Sequence, residues 1–151
     1  MPYIFQNITR LLGLLALATA PLAFAQSDAA LASSSKEAGA VVTKSGLVYR
    51  SLKDGAGTSP AATDKVKVHY KGSFPDGKEF DSSYKRNEPT EFPLNRVIAC
   101  WTEGVQMMKV GGKAKLTCPA SIAYGERGAG GVIPPNATLV FEVELLAING
   151  K

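Results

Sequence analysis

Residues 65–71 read KVKVHYK, and polar and apolar side chains alternate strictly along them, with Val66, Val68 and Tyr70 on one face. A period of two is typical of a strand that is buried on one side only. The Pro-Asp-Gly sequence at residues 75–77 predicts the turn that follows, because proline presets φ and glycine supplies a positive φ. The sequence therefore predicts a half-buried strand that ends in a tight turn.

The rest of the chain adds short strands and loops around this strand. Further strands are predicted at residues 46–52, 79–81, 113–118 and 138–148, and the last two alternate with Ala114, Leu116, Cys118, Leu139, Phe141, Val143 and Leu145 inward. The polar stretch 82–93 contains two prolines and predicts a loop or an interrupted strand. Residues 125–131 contain four glycines and predict a tightly turned loop.

One helix is predicted in this part of the chain, over residues 97–109. Trp101, Val105 and Met108 fall at i, i+4 and i+7 and form one apolar stripe. The paired glycines that follow are a stop signal. Several strands and one short helix predict an α+β fold, in which an antiparallel sheet packs on the helix because the stripe has no other surface to bury against.

The beginning of the chain has a different composition. Residues 1–25 combine one basic residue, an apolar run and Ala-Phe-Ala, which predicts an export signal cleaved before Gln26. The alternative is a membrane anchor, for which the run is short. Residues 26–44 are rich in Ala and Ser and predict a flexible linker, with a weak helix at its centre as the alternative, so that the folded domain is expected over 45–151. The expected location is outside the cytoplasm, in the periplasm of a Gram-negative host.

Composition argues against several classes of function. The net charge of +4 is mild, and the densest basic stretch, around Lys113, contains no aromatic residue, which does not favour nucleic-acid binding. A single histidine and no Cys-x-x-Cys sequence argue against a metal site, and no cofactor motif is present. That histidine, His69, is the sole candidate base for a hydrolase and is expected on the outer face of its strand, as a structural residue.

Aromatic and polar-tipped residues instead accumulate at the ends of the predicted elements. Tyr70 ends one strand, Phe80 and Asp81 begin another, Trp101 lies on the helix, and Tyr124 precedes the glycine loop. A sheet curved over the helix would bring them to one apolar cleft with few polar groups, the usual design of a small-ligand or peptide pocket. Taken singly, such aromatic residues are equally consistent with ordinary core packing.

An ordered series of motifs gives these residues a context. The chain resembles the FKBP-type peptidyl-prolyl isomerases at 66–72 (VKVHYKG), 76–83 (DGKEFDSS), 97–98 (VI), 101–105 (WTEGV), 110–111 (VG), 123–125 (AYG) and 133–141 (IPPNATLVF). The resemblance extends over residues 45–149. It implies the FKBP-like α+β fold, a curved antiparallel sheet of five or six strands wrapped around one short helix.

The resemblance also implies a set of site residues. The positions that match the family's catalytic residues are Tyr70, Phe80, Asp81, Ile98, Trp101, Tyr124 and Phe141. Those that match substrate-binding positions are Arg86, Val97 and Ile133. Trp101 would be the floor under the proline ring, and the backbone N–H of Ile98 and the hydroxyl of Tyr124 would hold substrate carbonyls.

The implied activity suits these residue types. Rotation about an Xaa-Pro bond must break amide resonance and needs no nucleophile, metal or proton relay. A dry apolar pocket favours the less polar twisted amide over the planar one, which is selective binding of the transition state. Asp81 is expected to pair with Tyr70 and Arg86, because an unpaired buried carboxylate is costly.

The implied partners are proline-containing unfolded or extended polypeptides, macrolides such as tacrolimus or rapamycin, and no nucleic acid or stable membrane anchor, with the chain a monomer. The resulting hypothesis is an isomerase that accelerates the folding of exported proteins. The alternative is a proline-directed binding module or chaperone without turnover. Thr90, Arg96 and Ala129 differ from the residues usual in the family, and they lie where the pocket rim and its loops are expected, so they bear on substrate and macrolide preference.

Two cysteines, Cys100 and Cys118, remain outside the export signal. Cys118 is expected to point inward from its strand, and Cys100 lies beside Trp101 on the helix. In an oxidising compartment we predict a disulfide that ties helix to sheet. The alternative is two buried thiols.

Overall fold

The structure, a computed structural model, describes residues 22–151. These residues form two α-helices, α1 (Leu22–Ser35) and α2 (Ala99–Gln106), and two short 3₁₀ helices, η1 (Leu94–Arg96) and η2 (Ala120–Ile122). The strands are β1 (Val41–Val42), β2 (Val48–Lys53), β3 (Lys65–Ser73), β4 (Glu79–Ser82), β5 (Thr90–Pro93), β6 (Lys113–Cys118) and β7 (Leu139–Ile148).

All seven strands belong to one antiparallel sheet of order β1-β2-β6-β7-β3-β4, and β5 pairs with β3. The predicted α+β arrangement is thus confirmed, with more strands than the five or six expected. The additional pairing comes from β1, of two residues, and from β5, which was predicted as a loop or an interrupted strand. Both strands are too short to show a clear alternation.

The core lies between the sheet and α2. Val66 and Val68 of β3 are fully buried, as are the alternating inward residues predicted for β6 and most of those predicted for β7. Gly104 of α2 sits against the side chain of Leu116, and a β-carbon there would lie 2.8 Å from a Leu116 methyl group. The helix therefore lies close to the sheet, which buries the predicted stripe of Trp101, Val105 and Met108.

Helix α2 is shorter than the predicted 97–109. Val97 and Ile98 are extended, with ψ of 177° and 145°, so the helix begins only at Ala99. Met107 caps its other end, and Met108 is buried although it lies outside the helix. The apolar stripe indicated which residues are buried but did not fix where the helical hydrogen bonds begin and end.

The segment before Val48 is more ordered than the linker expected for residues 26–44. Helix α1 packs against β6 and β2, and β1 pairs with β2. Ser34 is buried and accepts a hydrogen bond of 2.9 Å from Thr117 of β6. Glu37 forms ion pairs of 2.7 Å with both Arg50 and Lys115. Polar contacts of this kind have no hydrophobic periodicity, so the sequence pattern did not reveal them.

Most of the predicted export signal, residues 1–21, lies outside the described residues. Helix α1 begins at Leu22 and runs across the predicted cleavage position before Gln26. Within residues 22–151, none of the helices has the length and apolar character that crossing a membrane requires.

Candidate functional site: an aromatic pocket above α2

A cavity of about 430 Å³ opens above the N-terminal end of α2. Its lining is mainly aromatic and aliphatic, and it comes from β3, β4, β5, η1, α2, β7 and the loop after η2. The lining residues are Tyr70, Phe80, Asp81, Thr90, Phe92, Arg96, Val97, Ile98, Trp101, Tyr124 and Phe141. The volume and the mostly apolar wall with few polar groups are those of a site for a small ligand or a short peptide segment.

Trp101 lies at the centre of this lining and is 5% exposed. Three rings pack around it with centroid separations of 5.0 Å to Tyr70, 5.3 Å to Phe141 and 5.5 Å to Phe92. The Tyr70 and Phe141 rings stand nearly perpendicular to the indole, at 82° and 89°. Edge-to-face packing of this kind holds the indole plane fixed between upright aromatic walls.

The position of Gly72 on β3 makes room for two of these walls. Gly72 lies opposite Phe141 of β7 on one side and Asp81 of β4 on the other. A β-carbon at Gly72 would lie 2.6 Å from the Phe80 ring and 2.9 Å from the Phe141 ring. Because these separations are too short for real contacts, only glycine lets both rings reach the pocket in this arrangement.

The one carboxylate of the pocket, Asp81, is held by its neighbours. It accepts a short hydrogen bond from the Tyr70 hydroxyl, and Arg86 Nη1 lies 2.5 Å from its Oδ1 atom. Arg86 Nη2 also donates to the Tyr70 hydroxyl oxygen at 3.1 Å, and the backbone N–H of Ser82 donates to Oδ1 at 2.8 Å. Tyr70 and Arg86 are the partners that were expected for Asp81, and these contacts orient Tyr70 against Trp101.

The same contacts set the ionisation of the cluster. Burial by itself raises the pKa of the Asp81 carboxyl, but the hydrogen bonds from Tyr70 and Arg86 and the Arg86 charge outweigh it, so the pKa lies below its ordinary value of 3.8. Burial and the hydrogen bond to Asp81 raise the pKa of Tyr70 above its ordinary value of 10.0. At neutral pH Asp81 is therefore an anion and Tyr70 a neutral hydrogen-bond donor. Asp81 thus has no proton to donate as a general acid.

Two further polar groups border the pocket. Ile98 precedes the first turn of α2, and its backbone N–H donates to no other group within residues 22–151. Tyr124 is 41% exposed beside the glycine loop, and its hydroxyl makes no hydrogen bond among the described side chains. Both donors are available to a bound molecule.

Two residues expected to bind substrate lie differently. Arg86 does not line the cavity and contacts it only through Asp81 and Tyr70. Ile133 is 6% exposed, forms an isolated bridge with Ala129, and is absent from the cavity lining. Ile133 packs in the core beneath the glycine loop because that bridge folds the loop back on itself.

Phe92 is the lining residue that the sequence did not suggest. In β5 it lies opposite Val66, and Thr90 lies opposite Val68. Directly opposed residues of antiparallel strands point to the same face, so both share the inward face of β3 with Tyr70. The alternate spacing of Thr90 and Phe92 was the signal in the sequence that could have indicated this strand. A segment of four residues that ends in proline is too short for such a pattern to distinguish a strand from a loop.

Among the other candidates, His69 has the structural role expected of it. Its ring lies 2.8 Å from the Ser83 hydroxyl and stacks on Tyr84 at a centroid separation of 4.6 Å, on the face of β3 opposite Tyr70. Within the described part of the chain, no group of three or more His, Cys, Asp or Glu side chains is arranged to hold a metal ion.

A disulfide lies directly below the site. It joins Cys100 of α2 to Cys118 of β6, with the Cα atoms 5.9 Å apart and both side chains fully buried. A hydrogen bond of 2.7 Å from the Thr102 hydroxyl to the Leu94 carbonyl ties the same helix to η1. The residues on either side of Trp101 are thus fixed to the sheet and to the pocket rim.

Comparisons with known proteins agree with this geometry. A family model described as FKBP-type peptidyl-prolyl cis-trans isomerase matches residues 57–146. FkpA of Aeromonas hydrophila is 58% identical over 118 residues, which are 78% of this chain and 44% of that protein. The FKBP-type 22 kDa isomerase of Escherichia coli is 54% identical over 118 residues, 78% of this chain and 57% of that protein. The chain thus spans about half the length of these curated relatives.

Solved structures agree as well. The crystal structure of FkpA from Escherichia coli superposes with a TM-score of 0.81 at 47% identity, over 83% of this chain and 59% of that one. A peptidyl-prolyl cis-trans isomerase from Pseudomonas syringae gives a TM-score of 0.77 at 38% identity, over 84% of this chain and 93% of that one.

Proposed function

This chain belongs to the FKBP-type peptidyl-prolyl cis-trans isomerases, and on that premise we propose that it catalyses the cis–trans isomerisation of Xaa-Pro peptide bonds. The observation that carries the proposal is the cavity over Trp101, with its upright aromatic walls and the free donors of Ile98 and Tyr124. We propose residues 45–151 as the isomerase domain, against which the preceding segment with α1 and β1 packs.

The reaction needs only that the bond be allowed to twist. The barrier of about 18–20 kcal/mol is the loss of amide resonance, so no bond to carbon or nitrogen is made or broken. The planar amide is the more polar form. In a pocket of Trp101, Phe80 and Phe141 the planar amide loses the solvation that water gives it, and the twisted amide loses less solvation because it is less polar. The barrier to rotation therefore falls.

The polar groups act by position. The proline ring rests on the Trp101 indole between the walls of Tyr70 and Phe141. The N–H of Ile98 and the hydroxyl of Tyr124 hold substrate carbonyls, so that one side of the amide stays fixed while the other rotates. Asp81 is a positioning residue: with Arg86 it fixes the Tyr70 ring and takes no proton from the substrate.

Catalysis can be tested with a short Xaa-Pro peptide whose cis and trans forms exchange slowly enough to be followed by NMR. We expect faster exchange with the purified chain than in buffer, and a loss of about tenfold in kcat/KM for Tyr124→Phe, the value of one hydrogen bond. Tyr84→Phe is the matched control, because it removes an exposed tyrosine hydroxyl that bonds Glu144 at 3.0 Å, outside the pocket.

Trp101 is the only tryptophan of the chain, so its fluorescence reports separately on pocket occupancy. If the peptide changes that fluorescence while the exchange stays at the buffer rate, the isomerase proposal is wrong. The chain would then be the proline-directed binding module or chaperone without turnover.

Export and partners complete the proposal. Residues 1–25 act as the export signal, and in a Gram-negative host the domain works in the periplasm on proline-containing extended polypeptides, as a monomer that also accepts macrolides. The disulfide below Trp101 supports an oxidising compartment. Cell fractionation and N-terminal sequencing test this, with Gln26 expected as the first residue. Recovery of the uncleaved chain from the cytoplasm would contradict it.

A further inference from the structure

We propose that Arg96 makes the pocket selective for Xaa-Pro segments that carry a carboxylate beside the proline. The inference rests on the proposed function, because it names the substrate class of the same site. Three observations support it: the charge balance of the lining, the lack of a partner for Arg96, and the fixed backbone from which that side chain extends.

The cavity lining contains two groups that are charged at neutral pH, Asp81 and Arg96, which have opposite signs. Asp81 is already neutralised by Arg86 at 2.5 Å and by the hydrogen bond from Tyr70. Its negative charge is therefore not available to Arg96 or to a substrate cation. Counted with Arg86, the site has an excess of one positive charge, and Arg96 is the exposed lining residue that carries it.

Arg96 has no partner of its own among residues 22–151. None of the ion pairs or side-chain hydrogen bonds of that part of the chain involves it. The acidic residue of the adjacent strand β5, Glu91, instead pairs with Lys65 at 3.6 Å. Arg96 therefore lines the pocket, and no group within residues 22–151 occupies the donors of its guanidinium.

The backbone that carries Arg96 is held at two points. In η1 the Leu94 N–H donates to the Asp64 carbonyl at 2.9 Å, and the Leu94 carbonyl accepts from the Thr102 hydroxyl at 2.7 Å. Leu94 itself is fully buried. The backbone of η1 is thus fixed at the pocket rim, while the Arg96 side chain is exposed and can reorient toward a bound substrate.

The chemistry of the free group favours one kind of substrate. A guanidinium presents a planar fork of donors that fits the two oxygens of a carboxylate. Val97 and Ile98 beside it add apolar lining, and the exposed position of Arg96 makes an ion pair there modest in strength and sensitive to salt. A substrate lysine at the same position would be repelled.

The test uses two series of peptides that share one proline-containing core. In one series the residue before the proline is Glu, Gln or Lys, and in the other series the residue after the proline is varied in the same way. Their N-termini are acetylated and their C-termini amidated, so that the side chain supplies the only variable charge. For the wild type we expect kcat/KM about fivefold higher for Glu than for Gln at one of the two positions, and lower still for Lys. In Arg96→Gln the ratio of Glu to Gln should fall to about one, and in about 0.5 M salt it should fall in the wild type as well.

Lys109→Gln is the matched control. It removes the same charge from a residue outside the lining of this cavity, and it should keep the fivefold ratio. Equal kcat/KM for Glu and Gln peptides at both positions in the wild type would overturn the inference, and so would a preference that persists in Arg96→Gln.

Failure of the proposed function is distinguishable, because then no peptide is isomerised. In that case a titration with the same peptides, followed by Trp101 fluorescence, still measures the relative binding affinities of the Glu and Gln peptides. Tighter binding of the Glu peptide that depends on Arg96 supports the inference, and equal binding of Glu and Gln peptides overturns it.

Discussion

Arg86 Nη1 lies 2.5 Å from Asp81 Oδ1, and its Nη2 atom reaches the Tyr70 hydroxyl that also bonds this carboxylate. The three side chains close a ring of charged hydrogen bonds at the edge of the aromatic pocket. Arg86 itself does not line the cavity. The arginine therefore influences a bound ligand through Asp81 and Tyr70, whose orientation it fixes and whose negative charge at Asp81 it balances.

Replacing Arg86 should impair catalysis without changing the residues that line the cavity, because Arg86 is not one of them. In Arg86→Gln we expect kcat/KM to fall roughly tenfold, because a charge-assisted hydrogen bond that orients Tyr70 is lost. Arg86→Lys should recover part of the loss, since it restores the charge but not the fork. The control is Lys85→Gln, which removes a neighbouring exposed charge that pairs with Glu79 at 3.1 Å. An equal loss in both glutamine variants would mean that the effect is one of net charge.

The depressed pKa of Asp81 predicts a pH dependence of stability. A carboxyl whose pKa is lower in the folded state contributes its stability in full above the unfolded value, here 3.8, and loses it as the pH falls through the folded value. The difference in unfolding free energy between wild type and Asp81→Asn should therefore be constant between about pH 5 and 7 and shrink below 3.8. Urea denaturation at a series of pH values measures it. A difference that stays constant into strong acid would show that the charge of Asp81 contributes nothing to folding.

The disulfide below the pocket should stabilise the fold. The bond joins residues 18 positions apart, and in the chain-entropy model a loop of this size contributes about 3 kcal/mol. We expect the double variant Cys100→Ala/Cys118→Ala to lose about that much unfolding free energy in chemical denaturation. Reductant should lower the stability of the wild type and leave the double variant unchanged. Two titratable thiols in the denatured, unreduced wild type would disprove the bond.

Gly72 should be required for the shape of the pocket. In Gly72→Ala the new methyl group meets Phe80 and Phe141, and we expect a loss of about 1–3 kcal/mol in stability together with a fall in kcat/KM. Gly77→Ala is the control, because that glycine has a φ of 91° and no neighbour near its β-carbon. It should lose about 1 kcal/mol through backbone strain and retain kcat/KM. Full activity in Gly72→Ala would show that the two rings can move without consequence.

The N-terminal segment should contribute to the stability of the sheet. Glu37 contacts Arg50 and Lys115 at 2.7 Å each and is 26% exposed, so Glu37→Gln should lower the unfolding free energy by about 1 kcal/mol. The control is Glu91→Gln, whose exposed pair with Lys65 at 3.6 Å should matter less than about 0.5 kcal/mol. Thermal unfolding of both variants compares them. Equal small effects would mean that the segment is docked without contributing stability.

Much of the fold was predictable because long amphipathic segments specify their buried face locally. The alternation at Val66 and Val68, and that of β6 and β7, identified core residues which the structure buries completely. The helical stripe around Trp101 was equally clear. The site was less predictable, because its lining comes from seven parts of the chain and no local pattern states which of them meet. The resemblance to a known family, and not periodicity, suggested most of the lining residues.

By itself, the sequence determined the long strands β3, β6 and β7 and the helix around Trp101, since side-chain periodicity is a local property of each segment. Only the tertiary structure decided that Phe92 enters the pocket, because this depends on the register of β5 on β3, two strands that are distant in sequence. It also decided that Ile133 packs beneath the glycine loop, because this depends on the bridge that pairs Ile133 with Ala129. The same holds for the ends of α2, where Val97 and Ile98 stay extended and face the cavity. It holds too for the buried bond between Ser34 and Thr117, which depends on one hydroxyl meeting another and leaves no periodic trace along the chain.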